Sequence, residues 1–144
     1  MKKTDELVRM LAADIENKNV LEVACGAAGF SVSAARIAHR VDCIDLDDSR
    51  LNEQAKQSSI HFQIMDASEM SFPDIAFDTI FIYNAFSHIH SQWDMIEREC
   101  KRVLKITGKI YIVGTWKLDT NLMTGIFGDH AVQYGGFFVV KMMK

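Results

Sequence analysis

Apolar residues in this chain gather in short unbroken runs separated by longer mixed stretches. The runs at 20–25, 41–46, 60–65, 77–86 and 109–116 read as strands. Two of them, FDTIFIYNAF and KIYIVGTW, are almost continuously apolar, the pattern of strands covered on both faces in a parallel sheet. Between the runs, apolar spacing predicts helices over 31–40, 48–57 and 92–105, and a further helix in the first 16 residues built on Leu7, Met10, Leu11 and Ile15. In the 92–105 segment Trp93, Ile96, Cys100 and Val103 share one face. Ser91 and Asp94 resemble a capping box there, and Gly108 is placed to end the helix in a left-handed cap. The stretch 66–76 has room for little more than one helical turn. Near the end, HAVQY and FFVVKMM flank Gly135-Gly136, which suits a two-residue hairpin turn. The expected architecture is α/β: a mostly parallel sheet, helices on both faces, strand order 3-2-1-4-5, then a C-terminal antiparallel hairpin.

Composition narrows the function more than the fold. At 144 residues, with 49% hydrophobic and 24% charged positions and a single proline, the chain reads as one domain over 1–144, without linker or repeat. The net charge of −3 comes without a lysine or arginine block, which argues against a nucleic-acid partner and for a small molecule. Asp5, Glu6, Asp14 and Glu16 interrupt the start, so no signal peptide is expected, and no apolar run is long enough to span a membrane. Cys25, Cys43 and Cys100 are odd in number and lie in apolar surroundings, which suits inert thiols in a reducing cytoplasm. No C-x-x-C pair announces zinc, and no metal is expected.

The chemistry is concentrated in VLEVACGAAGFS at residues 20–31 and in two acids closing later strands, Asp45 and Asp66. A strand, a glycine-bearing turn, a helix start and a second strand ending in an acid together build a cleft for an adenosine-containing cofactor. Glu22 lies inside an apolar strand, where an unpaired charge is expensive, so it requires a partner: a ligand amine, or an amide or lysine of the chain itself. Asp45 suits vicinal hydroxyls but also helix capping, as do Asp47 and Asp48; Asp66 also suits an ordinary turn. Cys25 reads as a small strand-end residue, with a thiol activated at a helix start as the sharper alternative. Ala24-x-Gly26-x-x-Gly29 is one substitution from a nicotinamide-dinucleotide fingerprint, which keeps an NAD(P)-binding domain open as a rival. Against it, a pyrophosphate needs the helix start clear of carboxylates while Glu22 places an acid near the turn, and a dehydrogenase would need a substrate domain that this chain lacks. His88 and His90 follow the fourth strand, at an end that opens onto the cleft, and lack a clear third partner for a metal.

These residues resemble the class I S-adenosylmethionine-dependent methyltransferases, over roughly residues 18–115. The family's first motif, acid-x-Gly-x-Gly-x-Gly, is matched by Glu22 and Gly26, with Ala24 and Ala28 in place of two glycines. The fourth-strand run FPDIAFDTIFIYNAFSHI and the segment ECKRVLKITGKIYIV match the family's later landmarks, with Ile106 and Thr107 replacing a proline and a glycine. The resemblance implies a small Rossmann-like domain with S-adenosylmethionine as cofactor. It further implies that Glu22 meets the amino group of the methionine portion, Ala24 and Gly26 approach that portion, Asp45 holds the ribose, Leu46 packs on adenine, Asp66 and Ala67 meet the adenine edge, and Asn84, at the fourth strand's end, is a further cofactor-binding residue. His88 is the candidate base for an acceptor with a proton to lose. The segment 116–134, with Trp116, Asn121, Phe127, His130 and Tyr134, is expected to wall an open cleft for a small-molecule methyl acceptor. A non-catalytic coenzyme binder is the remaining alternative, since the methyls of Ala24 and Ala28 stand where glycine lets a ligand approach.

Overall fold

The computed structural model describes residues 1–144. Seven strands form one sheet: β1 (Asn19–Val23), β2 (Arg40–Asp45), β3 (His61–Ile64), β4 (Phe77–Tyr83), β5 (Leu104–Gly114), β6 (Ala131–Tyr134) and β7 (Phe137–Met143). Their order is β3-β2-β1-β4-β5-β7-β6. The first five pair in parallel, and β7 runs antiparallel to both of its neighbours, β5 and β6. Side-chain alternation sorts the core into two layers. Leu21, Val23, Ile80, Ile82, Ile110 and Ile112 face α4 (Phe86–Ile89), α5 (Trp93–Val103) and α6 (Lys117–Phe127). Val20, Phe81, Tyr111 and Val113 face α1 (Lys3–Met10) and α2 (Gly29–Ala34). Each layer carries an aromatic row: Phe30, Phe81 and Tyr111 on one side, and Phe86, Trp93 and Phe127 on the other.

The helices depart from expectation more than the strands do. The segment expected as 48–57 is helical only over α3 (Glu53–Lys56), capped by Asn52 accepting from the Ala55 amide at 2.7 Å. The Ser91–Asp94 capping box does not form, because a short 3-10 turn at His90–Gln92 leads into α5. Gly108 is not a helix cap. The chain passes straight from α5 into β5 at Leu104, and Gly108 lies within that strand beside the irregularity in its pairing with β4. A Cβ there would stand 2.5 Å from a Leu104 methyl and 2.8 Å from the Asp78 carbonyl, so glycine serves close packing. Two helices fall where the apolar pattern predicts none: α4, within and just beyond the expected end of the fourth strand, and α6, within the expected wall.

Candidate coenzyme and acceptor site

The turn after β1 takes its shape from three left-handed residues, Ala24 (φ 56°), Gly26 (φ 54°) and Ala28 (φ 65°). These are the three glycine positions of the motif. The turn conformation therefore survives the two alanines, each at a cost of about 1 kcal/mol for a Cβ in the left-handed region. At Ala28 the cost is offset by burial of its methyl with Cys25, Cys43 and Ala55. Ala24 is only half-buried, and its methyl faces the cleft.

Two adjoining cavities lie at the carboxyl ends of β1, β2 and β4. The smaller, about 90 Å³, is floored by Ile44, Met65, Ile89 and Ile96 and rimmed by Asp45, Leu46, Asp66 and Ala67. The larger, about 240 Å³, runs over the turn and takes in Glu22, Gly26, Arg50, Tyr83, Asn84 and Trp116. Ala24 and His88 line both, at the seam between them.

Glu22 is 1% exposed and faces α2, where its Oε1 accepts from the Ser31 hydroxyl at 2.7 Å and the Ser31 amide at 3.2 Å. No lysine or side-chain amide of the chain answers it. Burial pushes its carboxyl up to about 8, against the smaller opposing pull of Ser31. Asp45 does not cap a helix. Its Oδ2 accepts from the Gly26 amide at 2.7 Å and its Oδ1 from the Leu46 amide at 2.8 Å, which ties the end of β2 to the glycine turn. Each oxygen keeps a second lone pair for a ligand. Asp47 forms a local turn instead, accepting from the Ser49 amide and hydroxyl at 2.9 and 2.6 Å.

Asp66 is both a turn residue and a rim residue. Its Oδ1 accepts from the Ser68 hydroxyl at 2.7 Å and the Ser68 amide at 2.9 Å, which holds the carboxyl below the usual aspartate range. Leu46 is 69% exposed, an apolar face with no partner in the chain. Asn84 lines the larger cavity with φ 50°, but its amide is committed to Thr115: Oδ1 accepts from the Thr115 amide at 2.8 Å and Nδ2 donates to its hydroxyl at 2.9 Å. His88 sits exposed on α4 with no side-chain hydrogen bond. The Ser87 amide beside it donates to buried Asp119 of α6 at 2.8 Å. Cys25 is buried beside Cys43, and contact with that thiol, then burial, pushes its own thiol up, the opposite of an activated thiol. No three His, Cys, Asp or Glu side chains converge as a metal site.

The donor set fits the coenzyme that the resemblance implies. A buried carboxyl without a cation in the chain lines one cavity, and carboxylates with free lone pairs line the apolar slot beside it. Sequence reasoning missed Arg50, which lies over Gly26, and Arg102, which anchors the loop carrying Asp66. Arg50 belongs to no motif, and Arg102 lies in the landmark run ECKRVLKITGKIYIV without a role assigned to it; each meets residues far away along the chain.

This fold and site define a class I S-adenosylmethionine-dependent methyltransferase domain, and the comparisons agree. Residues 21–112 match the family model described as "Methyltransferase domain", and the chain belongs to that family. It is 33% identical over 101 residues to the fatty-acid O-methyltransferase of Mycolicibacterium smegmatis, covering 67% of this chain and 36% of that one. It is 24% identical over 115 residues to the 27-O-demethylrifamycin SV methyltransferase of Amycolatopsis mediterranei, covering 74% of this chain and 42% of that one. The matched region thus spans under half the length of each of these two relatives. Among solved structures, a SAM dependent methyltransferase from Aquifex aeolicus superposes with a TM-score of 0.73 at 20% identity, over 96% of this chain and 88% of that one, a likeness of fold. The family match, with Glu22 beneath the turn, sets aside the nicotinamide-dinucleotide reading.

Proposed function

We propose that this chain is an enzyme that transfers a methyl group from S-adenosylmethionine to an oxygen nucleophile on a small molecule, in the cytoplasm. The observation that carries the reading is the pair of adjoining cavities, one lined by Glu22 and the other by Asp45 and Asp66, with Ala24 and His88 lining both. Glu22 takes the ammonium of the methionine portion, Asp45 the ribose hydroxyls, and Asp66 with Ala67 the adenine edge, while Leu46 and Met65 enclose the base. Asn84, its side chain held by Thr115, gives a rigid end to β4. When bound, the coenzyme supplies an activated methyl group and a good leaving group. The chain's part is then alignment and exclusion of water. His88 reaches the seam from the acceptor side and accepts a proton where the acceptor has one to lose. Tyr83 and Trp116 flank the approach. The oxygen acceptor is inferred from the names of the two curated relatives, and no helix here is long and apolar enough to cross a membrane.

Thermal-shift titration tests the reading. S-adenosylhomocysteine should stabilise the protein where NAD and NADP do not. Asp45→Ala should weaken that binding by about 10- to 150-fold, the worth of charge-assisted hydrogen bonds of about 1.5–3 kcal/mol, while Asp47→Ala changes it little. Stabilisation by NAD alone, or equal affinity in Asp45→Ala, overturns it. An acceptor screen of small alcohols, phenols and carboxylic acids then follows with the protein and S-adenosylmethionine.

A further inference from the structure

The two cavities are lined by acids, apolar groups and a single strong cation, Arg50. Its guanidinium lies over the glycine turn: a Cβ built on Gly26 would stand 3.3 Å from Cζ and 3.4 and 3.6 Å from the two terminal nitrogens. Local turns bring it there. Asp47 closes on Ser49, and the Leu51 amide donates to the Asp48 carbonyl at 3.1 Å, folding the segment after β2 back toward β1. Asp47 feels the Arg50 charge, yet its hydrogen bonds go to Ser49. Arg50 forms no hydrogen bond or ion pair within the chain, unlike Arg36, Arg40 and Arg102, which all find carboxylates.

A guanidinium with five donors and no acceptor, laid across a glycine turn, is a place for a planar anion. The cavity that Arg50 lines is the one that contains Glu22, and not the apolar slot. A diphosphate would suit Arg50 but be repelled by Glu22. An α-amino acid group presents an ammonium and a carboxylate on the same carbon, and so suits both side chains at once. We propose that Arg50 binds the α-carboxylate of the coenzyme's methionine portion, forming with Glu22 a two-charge clamp that selects the intact amino acid. This rests on the coenzyme reading above. It makes Arg50 a specificity residue supplied by the loop after β2 and not by the glycine motif. A Cβ on Gly26 would stand tight against the guanidinium, which would have to give by a few tenths of an ångström, and the φ of 54° there favours glycine independently.

Calorimetry with two ligands tests the clamp: S-adenosylhomocysteine, and its analogue in which hydrogen replaces the carboxylate. Wild type should prefer the intact ligand. Arg50→Ala should weaken that ligand about 10-fold, the scale of a partly exposed charge-assisted pair, and leave the decarboxylated one unchanged. Arg50→Lys should recover part of the loss, since an ammonium replaces the charge but not the fork. Equal losses for both ligands would show that Arg50 only shapes the turn, and no preference in wild type would show that the carboxylate is not held; either result overturns the proposal. Failure of wild type to bind either ligand would instead remove the coenzyme reading, and the clamp with it.

Discussion

At Glu22 the needs of the fold and of the site pull in opposite directions. The fold gains nothing from a charge there, since the carboxyl is wholly buried and its ordinary value of 4.5 is raised to about 8 by that burial. The folded chain therefore holds a proton that the unfolded chain has released. Stability from this group is fully present below about pH 4.5 and is lost as pH rises toward about 8. Glu22→Gln keeps an acceptor for Ser31 and does not titrate, so the variant should gain on wild type as pH rises. Urea denaturation at about pH 6 and about pH 9 measures the difference, and a gain at the lower pH alone would contradict the linkage. The same substitution should weaken S-adenosylhomocysteine, because the ligand's ammonium loses its counter-charge. On the contact proposed above, that ammonium would draw a proton off Glu22 as it binds wild type near neutral pH. Calorimetry in buffers of different ionisation enthalpy should register the release, and Glu22→Gln should abolish it.

Among the elements, the loop between β3 and β4 depends on one side chain of α5. Arg102 donates to the Met70 and Phe72 carbonyls at 2.9 and 3.0 Å, to Asp74 at 2.7 Å and to Glu99 at 2.8 Å. Glu99 in turn accepts from the Met70 amide at 2.8 Å. The loop carries Asp66 and Ala67 to the rim, so Arg102→Ala should cost about 1–3 kcal/mol and weaken adenosine-containing ligands without touching them. Denaturation together with 5′-methylthioadenosine affinity checks this, and full affinity in a destabilised variant would free the rim from Arg102. Although Arg102 falls in the landmark run ECKRVLKITGKIYIV, the sequence gives no sign of this coupling, because the carbonyls it meets lie 30 and 32 residues away along the chain. The strands were legible because burial on both faces leaves an unbroken apolar run, as in β4. The acids and the turn were legible because a charge inside such a run needs a reason. By contrast α6 packs Leu122, Met123 and Phe127 against the core but also buries Asp119 and exposes Leu118 and Ile126, so the apolar stripe is blurred in its sequence. The expected helix over 48–57 shrank to α3 because Asp47, Ser49 and Asn52 spend their hydrogen bonds on local turns and a cap.

Across the whole molecule, the site gathers the ends of strands in the parallel half of the sheet, while the β6–β7 hairpin lies beyond β5 and takes no part in it. A ligand in the cleft bridges the turn after β1, the loop after β2, the loop after β3 and α4, segments that meet around Ala24 and His88. At a free concentration of about 100 times Kd it should add about 2.7 kcal/mol to the unfolding free energy. Its effect on local motions should be uneven. The amides of Gly26 and Leu46 donate to Asp45, and that of Ser68 to Asp66, so a ligand that grips those carboxylates should slow their hydrogen exchange. β6 is an exposed edge strand paired on one side alone, whose amides exchange by local fraying that the ligand does not reach. Exchange followed by mass spectrometry with S-adenosylhomocysteine should therefore show protection at 24–31, 45–51 and 65–70 and none at 131–134. Protection of β6 equal to that of the glycine turn would place the ligand elsewhere on the sheet.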